Sequence, residues 1–577
     1  MPTVAEQLVR TLRDAGVERI YGIVGDSLNP IVDAVRRTDG IEWVHVRHEE
    51  AAAFAAAAEA QTTGKLAVCA GSCGPGNLHL INGLFDAHRS GAPVLAIASH
   101  IPSAQIGTGF FQETHPEQLF TECSHYSELV SQPEQMPRML RIAMQTAYGK
   151  GGVSVLTIPG DVADRKAVHP GVEKVQLVKP SPAVPPAETI EELARLLNSG
   201  AKVMLFAGAG TRGAHDEVMA LAGRLNAPVG HSLGGKEWIQ HDNPFDVGMS
   251  GLLGYGACYD AMHAADRIVL LGTDFPYDEF LPQARTIQVD TDVARLGRRT
   301  PLELAVHGDV KETIKAVLPL LHPRTDRSYL DRMLREHVRK LEKRVAAYTT
   351  NIEHRRPIHP EFAASVLDEV AADDAVFTVD TGMGNVWAAR YLTPNGRRRV
   401  LGSFRHGSMA NALPHAIGAQ FAEPGRQVVS ISGDGGLAML MGDLLTLSAY
   451  DLPVKVVVFN NATLGMVKLE MLVDGLPDFG TDHAAVNFAA IAEACGIHAT
   501  RVEDPREVRE ALAKAFVHPG PAVVELVTDP NALSIPPHIT GAQVRGFALG
   551  ASKTVLNGGV GKMIELARTN LRNTPGF

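Results

Sequence analysis

Cysteine is scarce in this 577-residue chain: Cys69, Cys73, Cys123, Cys258 and Cys495 are all there are. They are odd in number and scattered, with no CxxC pair and no metal-ligand spacing. That argues against a disulfide scaffold or a thiolate metal site and for a reducing compartment. Positive charge is also short. Lys and Arg total 54 against 64 Asp and Glu, a formal net charge of −10, so nothing points to nucleic acid. Long apolar runs are missing: no window of about eighteen residues is hydrophobic enough to span a bilayer. The opening stretch, MPTVAEQLVRTLRDAG, carries charges throughout an amphipathic helix pattern and does not read as a signal peptide. Short-period repeats and low-complexity segments are absent too. The expected location is cytoplasmic.

What is present is a globular composition, 45% apolar and 20% charged, in a chain too long for one core. Strand and helix patterns alternate from end to end, which predicts parallel α/β layers. Two linkers divide them. Lys179-Pro-Ser-Pro-Ala-Val-Pro-Pro186 is stiff and extended. A charged helical stretch over about 326–347 leads into Asn351-Ile-Glu-His-Arg-Arg-Pro-Ile-His-Pro360. The expected fold is α/β: three doubly wound parallel-sheet domains over 1–180, 185–330 and 340–535, plus a C-terminal helical tail over 536–577.

Two short motifs carry the chemistry. Gly433-Asp434-Gly435 follows an apolar, strand-like run, and twenty-four residues further on Asn460-Asn461 ends another. A carboxylate and a carboxamide at the ends of parallel strands offer hard oxygen ligands, which suit Mg²⁺ completed by phosphate. Glycines beside Asp434 let backbone N–H groups approach a diphosphate. Either motif alone is ordinary turn chemistry. As a spaced pair they resemble the diphosphate signature of thiamine diphosphate (ThDP) enzymes.

That resemblance implies roles elsewhere. Arg47-His48-Glu49-Glu50 follows a strand-like run and opens an Ala-rich helix, where an acid can simply favour the helix N-terminus. In the family the acid after the His holds N1′ of the aminopyrimidine, so Glu49 is the implied catalytic residue and Glu50 the less favoured choice. Counterparts of Gly25 and of Gly71-Ser-Cys-Gly74-Pro75-Gly76-Asn77 lie near the pyrimidine, which brings in Pro75 and Asn77. Phe111-Gln112 resembles a segment near the substrate, although loop packing would place the same residues there.

In the middle stretch, Gly208-Ala-Gly210-Thr-Arg-Gly213 matches a dinucleotide fingerprint after a strand, but the acidic residue expected about twenty positions on is missing. The glycines are expected to approach phosphates, and NAD is disfavoured. Met249-Ser250-Gly251-Leu252-Leu253, Gly272-Thr273-Asp274-Phe275-Pro276, Gln288-Val-Asp290 and Gly308-Asp309 could each be a plain strand-end turn. As an ordered set they resemble the FAD-binding domain of pyruvate oxidases and acetohydroxyacid synthases. FAD is therefore implied, with 249–253 near the flavin and Asp290 near the adenosine.

In the last domain, Asp380-Thr381-Gly382 and His406-Gly407-Ser408-Met409 precede helix patterns and can add backbone donors to a diphosphate. Met409 matches the family residue that props the cofactor in its bent form; core filling is the alternative. Asn461-Ala462-Thr463-Leu464-Gly465-Met466-Val467 continues the metal motif. By resemblance Asp434, Asn461 and the Thr463 carbonyl hold Mg²⁺. Glu470 matches a family acid near the reacting carbon, although it reads equally as an exposed helix acid. Met466, one helical turn before it, is a candidate catalytic position that departs from the family, whose acetate-forming members can carry an aromatic there.

Over nearly the whole chain the motifs resemble the quinone-linked, acetate-forming pyruvate dehydrogenases. Pyruvate as substrate, a membrane quinone as acceptor and a homotetramer, at least a dimer, are implied. A phosphate-dependent pyruvate oxidase using oxygen, an acetohydroxyacid synthase-type carboligase with structural FAD and a non-catalytic flavoprotein are the alternatives. The tail, with Arg545, Lys553, Lys562, Arg568 and Arg572 and a helical spacing of Val560, Met563, Ile564, Ala567 and Leu571, suits either an anionic lipid surface on the inner face of the membrane or docking on the core.

Overall fold

The computed structural model describes residues 1–168 and 175–532, with 549, 565, 566, 568–570 and 572 of the tail. The first sheet comprises β1 (Arg19–Gly22), β2 (Glu42–His45), β3 (Ala67–Gly71), β4 (Val94–His100), β5 (Tyr126–Leu129) and β6 (Val153–Pro159), all parallel in the order β2-β1-β3-β4-β6-β5. The central strands β3, β4 and β6 are buried along their whole length. That explains why they read as continuous apolar runs and not as alternations: helices cover both faces.

The middle sheet has β7 (Val203–Ala207), β8 (Val229–His231), β9 (Asp246–Met249), β10 (Tyr255–Gly256), β11 (Arg267–Leu271), β12 (Arg285–Asp290) and β13 (Leu304–His307), in the order β10-β9-β8-β7-β11-β12-β13. The sheet is parallel except at one edge, where the two-residue β10 runs antiparallel to β9. Only five residues separate the two strands, too few for the crossover that a parallel pair requires.

The third sheet has β14 (Val376–Val379), β15 (Arg399–Gly402), β16 (Val428–Gly433), β17 (Lys455–Asn460), β18 (His498–Val502) and β19 (Ala522–Val527). Its order, β15-β14-β16-β17-β19-β18, repeats that of the first sheet. Strands β14, β16 and β17 lie side by side, so Asp380, Asp434 and Asn461 emerge together beyond their carboxyl ends, where open α/β sheets place ligands.

The first and third domains share one core. The helix Glu49–Thr63 is buried on every side, Ala51 to Ala58 being fully covered. It packs against the helix Ala412–Ala422, and Gly418 abuts the carbonyl of Ala55 so closely that no Cβ fits between them. Of the tail, Leu566, Thr569 and Asn570 are buried, Thr569 donates to Asp529 (2.8 Å) and Arg572 N–H donates to the Tyr348 hydroxyl (2.7 Å). Val560, Met563, Ile564, Ala567 and Leu571, like Arg545, Lys553 and Lys562, lie outside the described residues. Among the described residues no helix is long and apolar enough to cross a membrane.

Candidate active site

Four turns at the carboxyl edge of the third sheet open into one cavity of about 1730 Å³. Gly382 (φ +124°), Gly407 (φ +77°) and Gly433 have nothing within 4 Å of the place a Cβ would take, so these backbones present bare N–H and Cα surface to the space. Gly436 instead abuts the Asp380 carboxylate. Such a glycine-lined cradle admits a diphosphate at close range.

Asp434 is 6% exposed. Burial raises its carboxyl above the usual range, against the pull of backbone N–H groups at Gly435 and Ala462 and of nearby His483. A divalent cation at this carboxylate would offset that cost. Asn461 lines the cavity and accepts from Thr463 N–H (3.1 Å). Asn460 does not: its amide donates to Glu525 (2.7 Å) and to the Val486 carbonyl (2.9 Å), bracing the sheet. The Thr463 carbonyl accepts from Gly465 N–H (2.9 Å) and keeps its second lone pair. Ala462 turns the chain with φ +54°. Thr381, Met409, Gly435, Leu464, Met466, Val467 and Glu470 line the same space, while Ser408 stands behind it. Burial raises the Glu470 carboxyl, with Asp474 adding to the effect. Asp380 is fully enclosed, and burial raises its carboxyl to about 7.

The opposite wall belongs to the middle domain. Ser250, Gly251, Leu252, Leu253, Gly272, Thr273, Asp274, Phe275 and Pro276 all line it. Asp274 is held by Arg298 (2.9 Å) and Arg299 (3.3 Å). Four of the predicted residues do not reach the cavity. Gly208 and Gly210 lie against Gly272 and Thr273, so their missing side chains let two loops touch across the switch point between β7 and β11. Asp309 caps the helix Val310–Val317 through Glu312 N–H (3.1 Å), and Asp290 accepts from Asp292 N–H (2.9 Å). Sequence reading missed two cations of this cavity, one from the middle domain and one from β15 of the third. Arg212 and Arg399 both stand over Trp238, at 5.1 and 4.8 Å from its ring centroid, and Arg399 pairs with the adjacent Glu237 (2.9 Å). Only Arg212, inside the glycine motif, carried a local signal.

The first-domain residues gather elsewhere. Glu49 is 7% exposed and does not line the cavity. Its carboxylate meets His79 Nδ1 at 2.9 Å, and His79 stacks on His48 with ring centroids 4.3 Å apart. His79, unremarked in the sequence, lies one helical turn from Gly76, whose missing side chain leaves room for the Glu49 carboxylate. Gly25 abuts Ser72, and Pro75 begins the helix Pro75–Ser90. Asn77 is fully buried and donates to the Ser99 carbonyl (2.8 Å). Gln112 (φ +62°) rests on Gly74 and accepts from the Cys73 thiol (3.3 Å), whereas Phe111 points outward, 78% exposed. One chain thus holds two groups of candidate residues, and only the second and third domains' group lines the cavity.

Residues 2–119, 190–317 and 380–526 match, in turn, the N-terminal TPP binding domain, the central domain and the C-terminal TPP binding domain of thiamine pyrophosphate enzymes. A Bacillus subtilis protein described as thiamine pyrophosphate-containing is 35% identical over 552 residues, 95% of each chain. An acetolactate synthase of Arthrospira platensis is 31% identical over 566 residues, 91% of this chain and 94% of its own. A pyruvate oxidase of Lactiplantibacillus plantarum is 29% identical over 534 residues, 90% of this chain and 87% of its own.

Proposed function

Because the chain belongs to the thiamine pyrophosphate enzymes, we propose that it oxidatively decarboxylates pyruvate to acetate and CO₂, passing electrons through FAD to a membrane quinone. The observation that carries this reading is the single cavity shared by the diphosphate turns and the 249–276 wall. At about 1730 Å³ it exceeds the few hundred to about 1000 Å³ of an ordinary ligand pocket, and so has room for two cofactors in line. Its aromatic and aliphatic wall at Leu252, Leu253 and Phe275 suits a flat ring system, and its arginines suit a second diphosphate.

When bound, thiamine diphosphate supplies the electron sink for loss of CO₂, and FAD the two-electron acceptor. The chain supplies the rest. Asp434, Asn461 and the Thr463 carbonyl would hold Mg²⁺, and the turns at Gly382, Gly407 and Gly435 would donate to the diphosphate. Glu49, buried and braced by His79, would hold a proton at N1′ of the pyrimidine. Gln112 would donate its amide to the substrate carboxylate, and Glu470 would act near the reacting carbon. A closed site needs the first domain of one copy against the third of another. The working unit is then at least a dimer, and a homotetramer by resemblance. The tail would bring the enzyme to anionic lipid on the inner face of the membrane.

The test is anaerobic addition of pyruvate to enzyme loaded with ThDP, Mg²⁺ and FAD. Bleaching of the flavin without phosphate, reversed by a quinone analogue, is expected. Bleaching that requires phosphate would replace this reading with an acetyl phosphate-forming oxidase. Pyruvate consumption with the flavin still yellow would replace it with a carboligase like the acetolactate synthase relatives.

A further inference from the structure

Glu50, set aside as the lesser of two adjacent acids, has a partner that changes its meaning. Its carboxylate accepts from Asn82 Nδ2 at 2.7 Å. The same Nδ2 donates its other hydrogen to the Ser408 hydroxyl at 2.8 Å, and Asn82 Oδ1 meets His406 Nε2, also at 2.8 Å. Asn82 belongs to the helix Pro75–Ser90, which carries Gly76 and His79 against Glu49. Ser408 and His406 belong to the diphosphate turn of the third domain. Both amide hydrogens are used, so the carboxamide has one orientation, and His406 must carry its proton on Nε2. The order continues: Ser408 donates to the Met409 carbonyl (2.9 Å), and Ser408 N–H donates to Ser403 (3.0 Å).

A second tie lies one helical turn further. Asp86, fully buried, stands 3.2 Å from His415 Nε2, and His415 Nδ1 meets Asn411 Oδ1 at 3.0 Å. Asn411 in turn donates to Asp380 (3.2 Å) and to the Ser408 carbonyl (2.8 Å). Both ties converge on Ser408.

We propose that Asn82 is a positioning residue that couples the two half-sites carried by one chain. The inference rests on the reading above, in which those half-sites serve two different cofactors of a dimer. A diphosphate ordering the 406–409 turn would also order Asn82, Glu50 and the helix behind Glu49. The other site then has less freedom left to lose, and the second cofactor binds more tightly.

The experiment titrates dimeric apoenzyme with ThDP and saturating Mg²⁺, following tryptophan fluorescence. Wild type is expected to bind cooperatively, the second site at least about fivefold tighter than the first. Asn82→Leu, of similar volume but without hydrogen bonds, is expected to bind non-cooperatively while remaining a dimer; Asn82→Asp serves if the Leu variant does not fold. A non-cooperative wild type, or a variant with wild-type cooperativity, would overturn the coupling. A monomeric enzyme that still decarboxylates would instead overturn the shared-site reading on which it rests.

Discussion

At the residue scale, Glu49 illustrates how burial and hydrogen bonding prepare one group. The carboxylate sits at the first position of a helix, has a histidine at 2.9 Å and is nearly closed off from solvent. Glu49→Gln keeps shape and hydrogen bonding but cannot exchange a proton. Decarboxylation should fall by about 10²–10⁴-fold with ThDP still bound, measured by CO₂ release beside equilibrium dialysis. Normal turnover would remove Glu49 from the mechanism. Asp380 offers a pH test in the apoprotein. Its folded-state carboxyl, at about 7 through burial, lies above the ordinary unfolded value of 3.8. The stabilisation is therefore complete below the unfolded value and lost as pH rises through the folded one. Each pH unit between about 4 and 7 costs at most about 1.4 kcal/mol. Thermal unfolding of Asp380→Asn should lack that component, so the variant gains on wild type across the window and then runs parallel. Parallel curves throughout would mean that Asp380 does not titrate there.

At the element scale, the helix pair Glu49–Thr63 and Ala412–Ala422 sets the distance between the first and third domains. The run of alanines on one side and Gly418 on the other allow backbone-to-backbone approach. Gly418→Ala forces a Cβ against the Ala55 carbonyl and should cost about 1–3 kcal/mol in denaturant unfolding. A neutral result would show that the helices can slide apart freely. The same pair explains what local pattern can and cannot reveal. Gly433-Asp434-Gly435 and Asn460-Asn461 were legible because β16 and β17 are neighbours and each motif ends its own strand. The split between them was not: only pairing with Glu525 on β19 shows that Asn460 braces the sheet while Asn461 faces the cavity.

At the scale of the whole molecule, one chain keeps Glu49 out of the cavity that holds Asp434. If each cofactor takes residues from two copies, Glu49→Gln and Asp434→Ala subunits should complement. Mixed, dissociated and reassociated in equal amounts, they should recover about a quarter of wild-type activity, since half the dimers are hybrids with one intact site. No recovery would place both residues in one chain's site. For the tail, cutting before Ala542 should spare reduction of soluble acceptors and abolish stimulation by anionic lipid vesicles, read as quinone reduction. An unchanged lipid response would end the membrane role.

The alternation of strands and helices, and the Gly433-Asp434-Gly435 and Asn460-Asn461 turns that each end a strand, were determined by the sequence alone, because each depends on residues close together in the chain. The placing of Arg212 and Arg399 over Trp238, the glycines spent on loop contact at Gly208 and Gly210, and the Asn82 bridge were decided only by tertiary structure. Asn82 and Ser408 are 326 residues apart, and no local preference of either residue specifies the other. Their meeting follows from how the helix Pro75–Ser90 and the 406–409 turn are brought together across a shared core, and that packing is a property of the folded whole.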